Sequence, residues 1–270
     1  MLVTGATDGL GKALARSLAA AGATVLLHGR DPTRGRVTLA ELKAQTDNER
    51  LAFYRADFAS LSEVRRLAER IVAEHDRLTV LVNNAGIGRG ARGDPRAFSA
   101  DGYELRLAVN YLAPVLLTRM LVPLLRTSAP ARIVNVASSS QEPFDFDDPM
   151  LAGGYDGGRA YGRSKLGLVM FTFALADELR EAGVTVNCLH PATRMPTAMT
   201  REAKAAPRSS LEQGVEATLR LVVARELDGS TGRYYDGVRE ASAHPLAYDV
   251  GARARLDRLT DDLLGRFTAN

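Results

Sequence analysis

Short apolar runs alternate with longer helical stretches from the first residue of this 270-residue chain, and that alternation narrows the available folds most. Val3 closes a first run, and others follow at 24–28, 51–54, 80–82, 133–136 and 184–189. They are near-continuously apolar rather than alternating, as strands buried on both faces are, which predicts a parallel sheet. Helix signals lie between them. Ser60-Leu-Ser-Glu63 reads as a capping box ahead of Leu61, Val64, Leu67, Ala68 and Ile71 at helical spacing, and Ser209-Ser-Leu-Glu212 repeats the device after Pro207. Right-handed crossovers then give a doubly wound α/β fold with helices on both faces of the sheet.

No linker, repeat or low-complexity stretch interrupts the pattern, so residues 1–270 are expected to form one domain. Three segments stand apart from the alternation. The stretch 139–158, rich in Asp, Gly and Pro, is expected to be a substrate-facing loop. Residues 191–207 are expected to form a mobile lid over a cofactor. Residues 249–267, with Leu256, Leu259, Leu263 and Leu264, read as an amphipathic helix. The acidic residues of the first loop, Glu142, Asp145, Asp147, Asp148 and Asp156, lack a recognised ligand spacing, and no metal is expected.

Charge and composition exclude several classes. Thirty-five basic against 32 acidic residues leave a formal net charge of +3, without the concentrated basic stripe that a nucleic-acid surface needs. The apolar stretch 107–125 is interrupted by Asn110, Pro114, Arg119 and Pro123, which predicts a buried helix and no membrane association. Cys188 is the one cysteine, so no intramolecular disulfide forms, and it reads as a small buried hydrophobe. No signal-like segment opens the sequence, and a cytoplasmic location is expected.

Thr4-Gly-Ala-Thr-Asp-Gly9-Leu-Gly11 follows the first strand and opens a helix over 10–21. Glycines there allow a tight turn and close approach of a pyrophosphate, whose charge suits free amides and the helix dipole. The second strand ends His28-Gly29-Arg30. An acid at that point would hydrogen-bond a ribose 2′-hydroxyl, whereas arginine welcomes a 2′-phosphate. Arg30, assisted by Arg34, therefore points to NADP(H), with NAD(H) the second choice; Asp8 and Asp31 nearby weigh slightly against it. Asp57, after the third strand, suits an adenine amino group or else a helix N-terminus.

Tyr161 and Lys165 stand at i and i+4, so both project from one helix face. A phenol near pKa 10 holds its proton too firmly for exchange at neutral pH, and a neighbouring ammonium corrects that. Ser138 ends the fifth strand, at the sheet edge where ligands bind, and its hydroxyl suits a substrate carbonyl. Ser139 and Ser140 adjoin it, and the strand-end position favours Ser138. Asn110, polar within an apolar helix, must find partners; a water relaying protons from Lys165 is one role, a structural bond another.

These residues, from Thr4-Gly5 through Asn83-Asn-Ala-Gly86, Val109-Asn110 and Ile133-Val-Asn-Val-Ala-Ser138 to Tyr161-Gly-Arg-Ser-Lys165, closely resemble the short-chain dehydrogenase/reductase family over essentially the whole chain. The interval from Ser138 to Tyr161, Phe146-Asp-Asp148 and Leu189-His-Pro191 are most similar to its retinol dehydrogenase and WW-domain oxidoreductase-like branch. The resemblance implies a single Rossmann-type domain and a catalytic tetrad of Asn110, Ser138, Tyr161 and Lys165. Cofactor contacts are implied at Gly5, Thr7, Asp8, Gly9, Leu10, Gly11, Arg30, Arg34, Asp57, Phe58, Asn83, Asn84, Ala85, Gly86 and Pro191, with Tyr161 and Lys165. Ala192 stands where the family often has glycine, and Arg194 is an unusual charge beside the expected nicotinamide pocket.

The expected activity is hydride transfer between NADP(H) and a ketone or aldehyde, or the matching alcohol, with Tyr161 as acid/base. A redox sensor without turnover is the alternative, and an epimerase or dehydratase a third reading. Apolar residues around most of one helix (Leu166, Leu168, Val169, Met170, Phe171, Phe173 and Leu175) exceed what one core face needs, and predict a homodimer or homotetramer.

Overall fold

In the computed structural model, which describes residues 1–268, the six apolar runs lie side by side as parallel strands. They are β1 (Leu2–Val3), β2 (Val25–Gly29), β3 (Leu51–Arg55), β4 (Val80–Asn83), β5 (Ala131–Val136) and β6 (Val184–His190). Alternate side chains supply two cores. Leu2, Leu26, Leu81, Ile133 and Val186 pack on one face, and Val3, Leu27, Val82, Val134 and Leu189 on the other. Both sets are buried, which is why the runs carry no polar alternation.

Two strands escape the apolar pattern. β7 (Tyr234–Asp236) continues the parallel sheet beside β6, and β8 (Arg239–Ala241) returns antiparallel through a turn at Gly237. The full order is β3-β2-β1-β4-β5-β6-β7-β8, so the sheet is parallel except at this edge. β1 pairs with both β2 and β4, and the chain reverses its direction of winding there. Ligands of doubly wound folds bind at that point, outside the carboxyl ends of the strands.

Helices α1 (Gly9–Ala20) and α2 (Pro32–Thr46) cover one face, joined by α7 (Leu211–Val223). The other face carries α3 (Leu61–Glu74), α4 (Leu105–Thr127) and α5 (Gly157–Glu178). α4 is long and apolar enough to cross a membrane, but 83% of its apolar window is buried inside the protein. Both capping boxes differ from expectation. Ser60 makes no side-chain cap; Asp101 accepts from the Leu61 amide at 2.7 Å instead, and Glu63 is drawn to the Asp57 amide. The second box forms one residue later, between Ser210 and Gln213.

The loop 139–158 is irregular up to Asp156, whose carboxylate caps α5. The segment 191–207 contains a short helix, α6 (Ala198–Glu202). The C-terminal helix α8 (Val250–Thr268) packs along the α4 and α5 side of the molecule. The Tyr111 hydroxyl of α4 meets Thr260 Oγ1 at 2.7 Å, and Arg119 pairs with Asp257 and Asp261. Every residue of α5 that argued for a partner helix is buried within the chain, in one cluster with Leu256, Leu264 and Phe267. The apolar excess of α5 is thus covered from within, and this face gives no reason for a second copy.

Candidate active site

The glycine turn is held from behind by polar bonds. Thr4 Oγ1 donates to Val82 O and accepts from the amides of Asn84 and Ala85 at 2.9 Å. Asn84 Nδ2 donates to Thr4 O and Gly5 O. A Cβ on Gly11 would stand 2.2 Å from Gly5 O, so only glycine fits. Asp8 caps α1 through the Gly9 amide. Leu10 and Gly11 line a cleft of about 530 Å3, and first-turn amides lack acceptors within their own helix. The turn and helix end therefore suit a pyrophosphate.

His28 is a residue of this turn that sequence reasoning passed over. Its Nδ1 accepts from the Gly5 amide at 3.2 Å, and Nε2 donates to Ala56 O at 3.0 Å, which fixes a neutral tautomer. The ring stacks on Phe58 with centroids 4.3 Å apart. Burial pushes its pKa down to about 4, against the opposing pull of the Ala56 carbonyl and the Asp57 charge. The unfolded chain binds this proton near pH 6.5, the folded chain only near 4. The contribution of neutral His28 is thus complete above pH 6.5 and is lost as pH falls from 6.5 towards 4. It amounts to roughly 3 kcal/mol. Thermal melts at about pH 7 and about pH 4.5 should show a drop that His28→Asn, which cannot titrate, reduces; an unchanged drop in that variant would refute the assignment.

The chemical end of the cleft lies over β5. Ser138 and Tyr161 line the same cleft, and Ser138 Oγ accepts from the Ser140 amide at 3.1 Å. Its carbonyl takes bonds from Tyr234 Oη and Gln141 Nε2, two more residues the sequence did not announce. Ser139 and Ser140 line the same cleft. Burial raises the Tyr161 pKa, with the Ser138 hydroxyl and the charge of Arg89 opposing. Lys165 Nζ donates to Val136 O at 2.8 Å and lies 5.9 Å from the Tyr161 ring centroid. Burial lowers its pKa to about 8. The expected lysine-phenol contact is therefore indirect here: Lys165 is tied to the strand, beneath the backbone of Gly86.

Asn110 lies within a π-helical turn, Ala108–Leu112, of α4, a widened geometry common at functional sites. Its Oδ1 accepts from the Ile87 amide at 2.8 Å, and Nδ2 donates to Ile87 O and Ser164 Oγ. The residue clamps the segment after β4 onto α5 and does not line the cleft. Of its two expected roles, the structural bond is the one visible.

The remaining sequence-predicted residues divide. Gly5, Asp8, Gly9, Leu10, Gly11, Asn84, Ala85, Gly86, Ser138, Tyr161, Lys165 and Pro191 all line the cleft. Asn83 does not: its amide points into the core, donating to Thr118 and Asn135 side chains, with Oδ1 left unpaired. Phe58 is buried under His28. Thr7 packs against Gly29 at the end of β2, and Arg30 and Arg34 are exposed beyond it. The Asp31 carboxylate is spent on capping α2 through the amides of Thr33 and Arg34, which hold it below the usual carboxylate range. Asp57 caps the Ala59 amide.

The segment 191–207 crosses the mouth of the cleft. Thr197 touches Gly9, where an added Cβ would come within 2.9 Å of its methyl, and Met199 similarly crowds Gly88. Arg201 faces Asp8 at 3.7 Å. The segment thus bridges both walls of the cleft.

Comparison with known proteins agrees with this arrangement. The family model described as short chain dehydrogenase matches residues 1–208. Retinol dehydrogenase 13 of Mus musculus is 36% identical over 273 residues, covering 95% of this chain and 80% of the relative. Retinol dehydrogenase 12 of Homo sapiens is 32% identical, covering 98% and 86%. A Mycobacterium paratuberculosis protein of solved structure superposes with a TM-score of 0.79 at 26% identity, over 98% of this chain and 92% of its own. The Pseudomonas aeruginosa RhlG/NADP active-site complex gives 0.71 at 29% identity, over 87% and 93%. A glycine turn at the switch point, a Ser138–Tyr161 pair with Lys165 below it, and these matches together place the chain in the short-chain dehydrogenase family, an oxidoreductase of its retinol dehydrogenase branch.

Proposed function

We propose that the protein uses NADP(H) to interconvert a ketone or aldehyde and its alcohol, with Tyr161 as the acid/base. The observation that carries this reading is that Ser138, Tyr161 and Lys165 line the same cleft as the glycine turn. The nicotinamide, when bound, supplies or accepts the hydride at the carbonyl carbon. In the reducing direction the phenolic proton of Tyr161 passes to the substrate oxygen, which Ser138 holds by a hydrogen bond. Burial keeps the phenol protonated and ready to donate. In the reverse direction the phenolate must form, and the Lys165 ammonium and the Arg89 charge favour it.

Preference for the 2′-phosphate rests on Arg30 and Arg34, which stand exposed at the end of β2 while Asp31, the nearest acid, is occupied in capping. A structural relative solved as an NADP complex supports the same choice. A cytoplasmic location and a small-molecule substrate fit the composition. The test is titration of the purified protein with NADPH and NADH by nicotinamide fluorescence, followed by absorbance assays over a carbonyl panel. NADPH should bind at least about tenfold more tightly, and Arg30→Glu should reverse the preference. Equal affinities in the parent would overturn the NADP assignment. Tight binding with no turnover across the panel would favour the sensor.

A further inference from the structure

The charge of the cleft is lopsided. Asp8 is the one carboxylate among the described residues lining it, and Asp8 faces Arg201. Three arginines, Arg89, Arg194 and Arg208, line the same space, and none has an ion-pair partner among the described residues. Other arginines of the chain are matched with acids, as in Arg55–Glu63, Arg119–Asp257 and Arg233–Glu240, whereas the cleft offers these three only Asp8. Unpaired cations gathered in one concave site focus the field on an anion.

Arg89 is also firmly placed. Arg106 Nε donates to Gly88 O at 2.9 Å, and the first turn of α5 packs so closely that a Cβ on Gly157 would lie 2.3 Å from Arg89 O. Arg106 is itself buried against Glu104 and the Tyr155 hydroxyl, which donates to Glu104 at 3.0 Å. A buried ion pair of this kind persists only when its hydrogen bonds are complete, and it gives the loop a defined position. Arg89 lines the same cleft as Tyr161, and its backbone lies against the first turn of the helix that carries Tyr161. Across the cleft, Arg194 adopts a left-handed φ of 51°, an uncommon cost for a non-glycine residue. Its carbonyl accepts from the Arg208 amide at 3.1 Å, which ties the two cleft-lining residues together through their backbones.

The phosphates of a nucleotide have their own partners at the glycine turn and, for the 2′-phosphate, at Arg30 and Arg34. The three cleft arginines are surplus to them. We propose that the substrate is a carbonyl compound that also carries a carboxylate, held by Arg89 and Arg194 with Arg208 behind them, while its carbonyl meets Tyr161 and Ser138. This rests on the oxidoreductase reading and adds a substrate class to it.

The probes are 3- and 4-carboxybenzaldehyde, each set against its methyl ester, with the full chain and NADPH. At least one acid should exceed its ester in kcat/KM by about tenfold, as expected for charge-assisted hydrogen bonds, and the advantage should shrink as KCl is raised. Arg89→Gln and Arg194→Gln should bring the ratio towards about 1 with NADPH affinity within about threefold of the parent. Turnover of acid and ester alike overturns the anion site alone. Arginine variants that weaken NADPH more than about tenfold with the ratio intact reassign these residues to the cofactor and overturn it too. No turnover of any probe, with NADPH bound, overturns the oxidoreductase reading and this proposal with it.

Discussion

The Tyr161→Phe protein is expected to lose about a thousandfold in kcat while binding NADPH within about threefold of the parent. The substitution removes one oxygen and leaves the ring, which sits buried at 9% exposure in the first half of α5. The loss of that oxygen leaves the Ser138 hydroxyl with the Ser140 amide as its partner. What disappears is the phenol in the cleft beside Ser138, and with it the proton for the substrate oxygen; Tyr234 is committed to the Ser138 carbonyl instead. Ser138→Ala should cost less, about tenfold to a hundredfold, because it removes a hydrogen bond to the oxygen but no proton. Stopped-flow absorbance of a single turnover separates the chemical step from product release. A Tyr161→Phe variant within about tenfold of the parent in that step would remove Tyr161 from the acid/base role.

Much of this site was legible in the sequence because its parts are local. A glycine turn after a strand, a tyrosine and lysine one helical turn apart, and a serine at a strand end each depend on near neighbours. The six core strands were legible for a similar reason: burial on both faces forces a continuous apolar run. β7 and β8 were not, since three-residue strands at a sheet edge, Tyr234–Asp236 and Arg239–Ala241, need no such run. Asn83 was misplaced because its neighbour Asn84 does face the cleft, and successive residues leaving a strand point to opposite sides. His28 carried the same signal as Asn110, a polar residue set in an apolar element, and the same question about its partners would have found it. The Glu104–Arg106–Tyr155 cluster joins residues about 50 positions apart, so no local pattern announces it. Lys165 shows a subtler limit. Its spacing gave its helix face correctly, but only the packed structure shows its ammonium bound to Val136 O rather than turned to the phenol.

Leu264→Asp in the full chain should lower Tm by about 10 °C and convert the protein to self-associating species. Leu264 is fully buried on α8, in the cluster that holds Leu166, Phe171 and Phe173 of α5. An aspartate there loses the leucine burial and must either bury a carboxylate without a partner or undock the helix, at a cost of about 4 kcal/mol. For a chain of this size each kcal/mol moves Tm by roughly 2–3 °C. Undocking has a second consequence. It uncovers the apolar α4 and α5 surface whose excess, read from the sequence, pointed to a partner helix. Such a surface seeks a new cover, and a second copy offers the same one. The ion pairs of α8, from Arg119 to Asp257 and Asp261, do not replace that burial, since exposed ion pairs contribute little. Light scattering coupled to size exclusion reads the outcome, with Asp262→Ala, an exposed change on the same helix, as the control. If Leu264→Asp keeps the Tm and mass of the parent, α8 is not the cover of this face, and the apolar excess of α5 again calls for a partner.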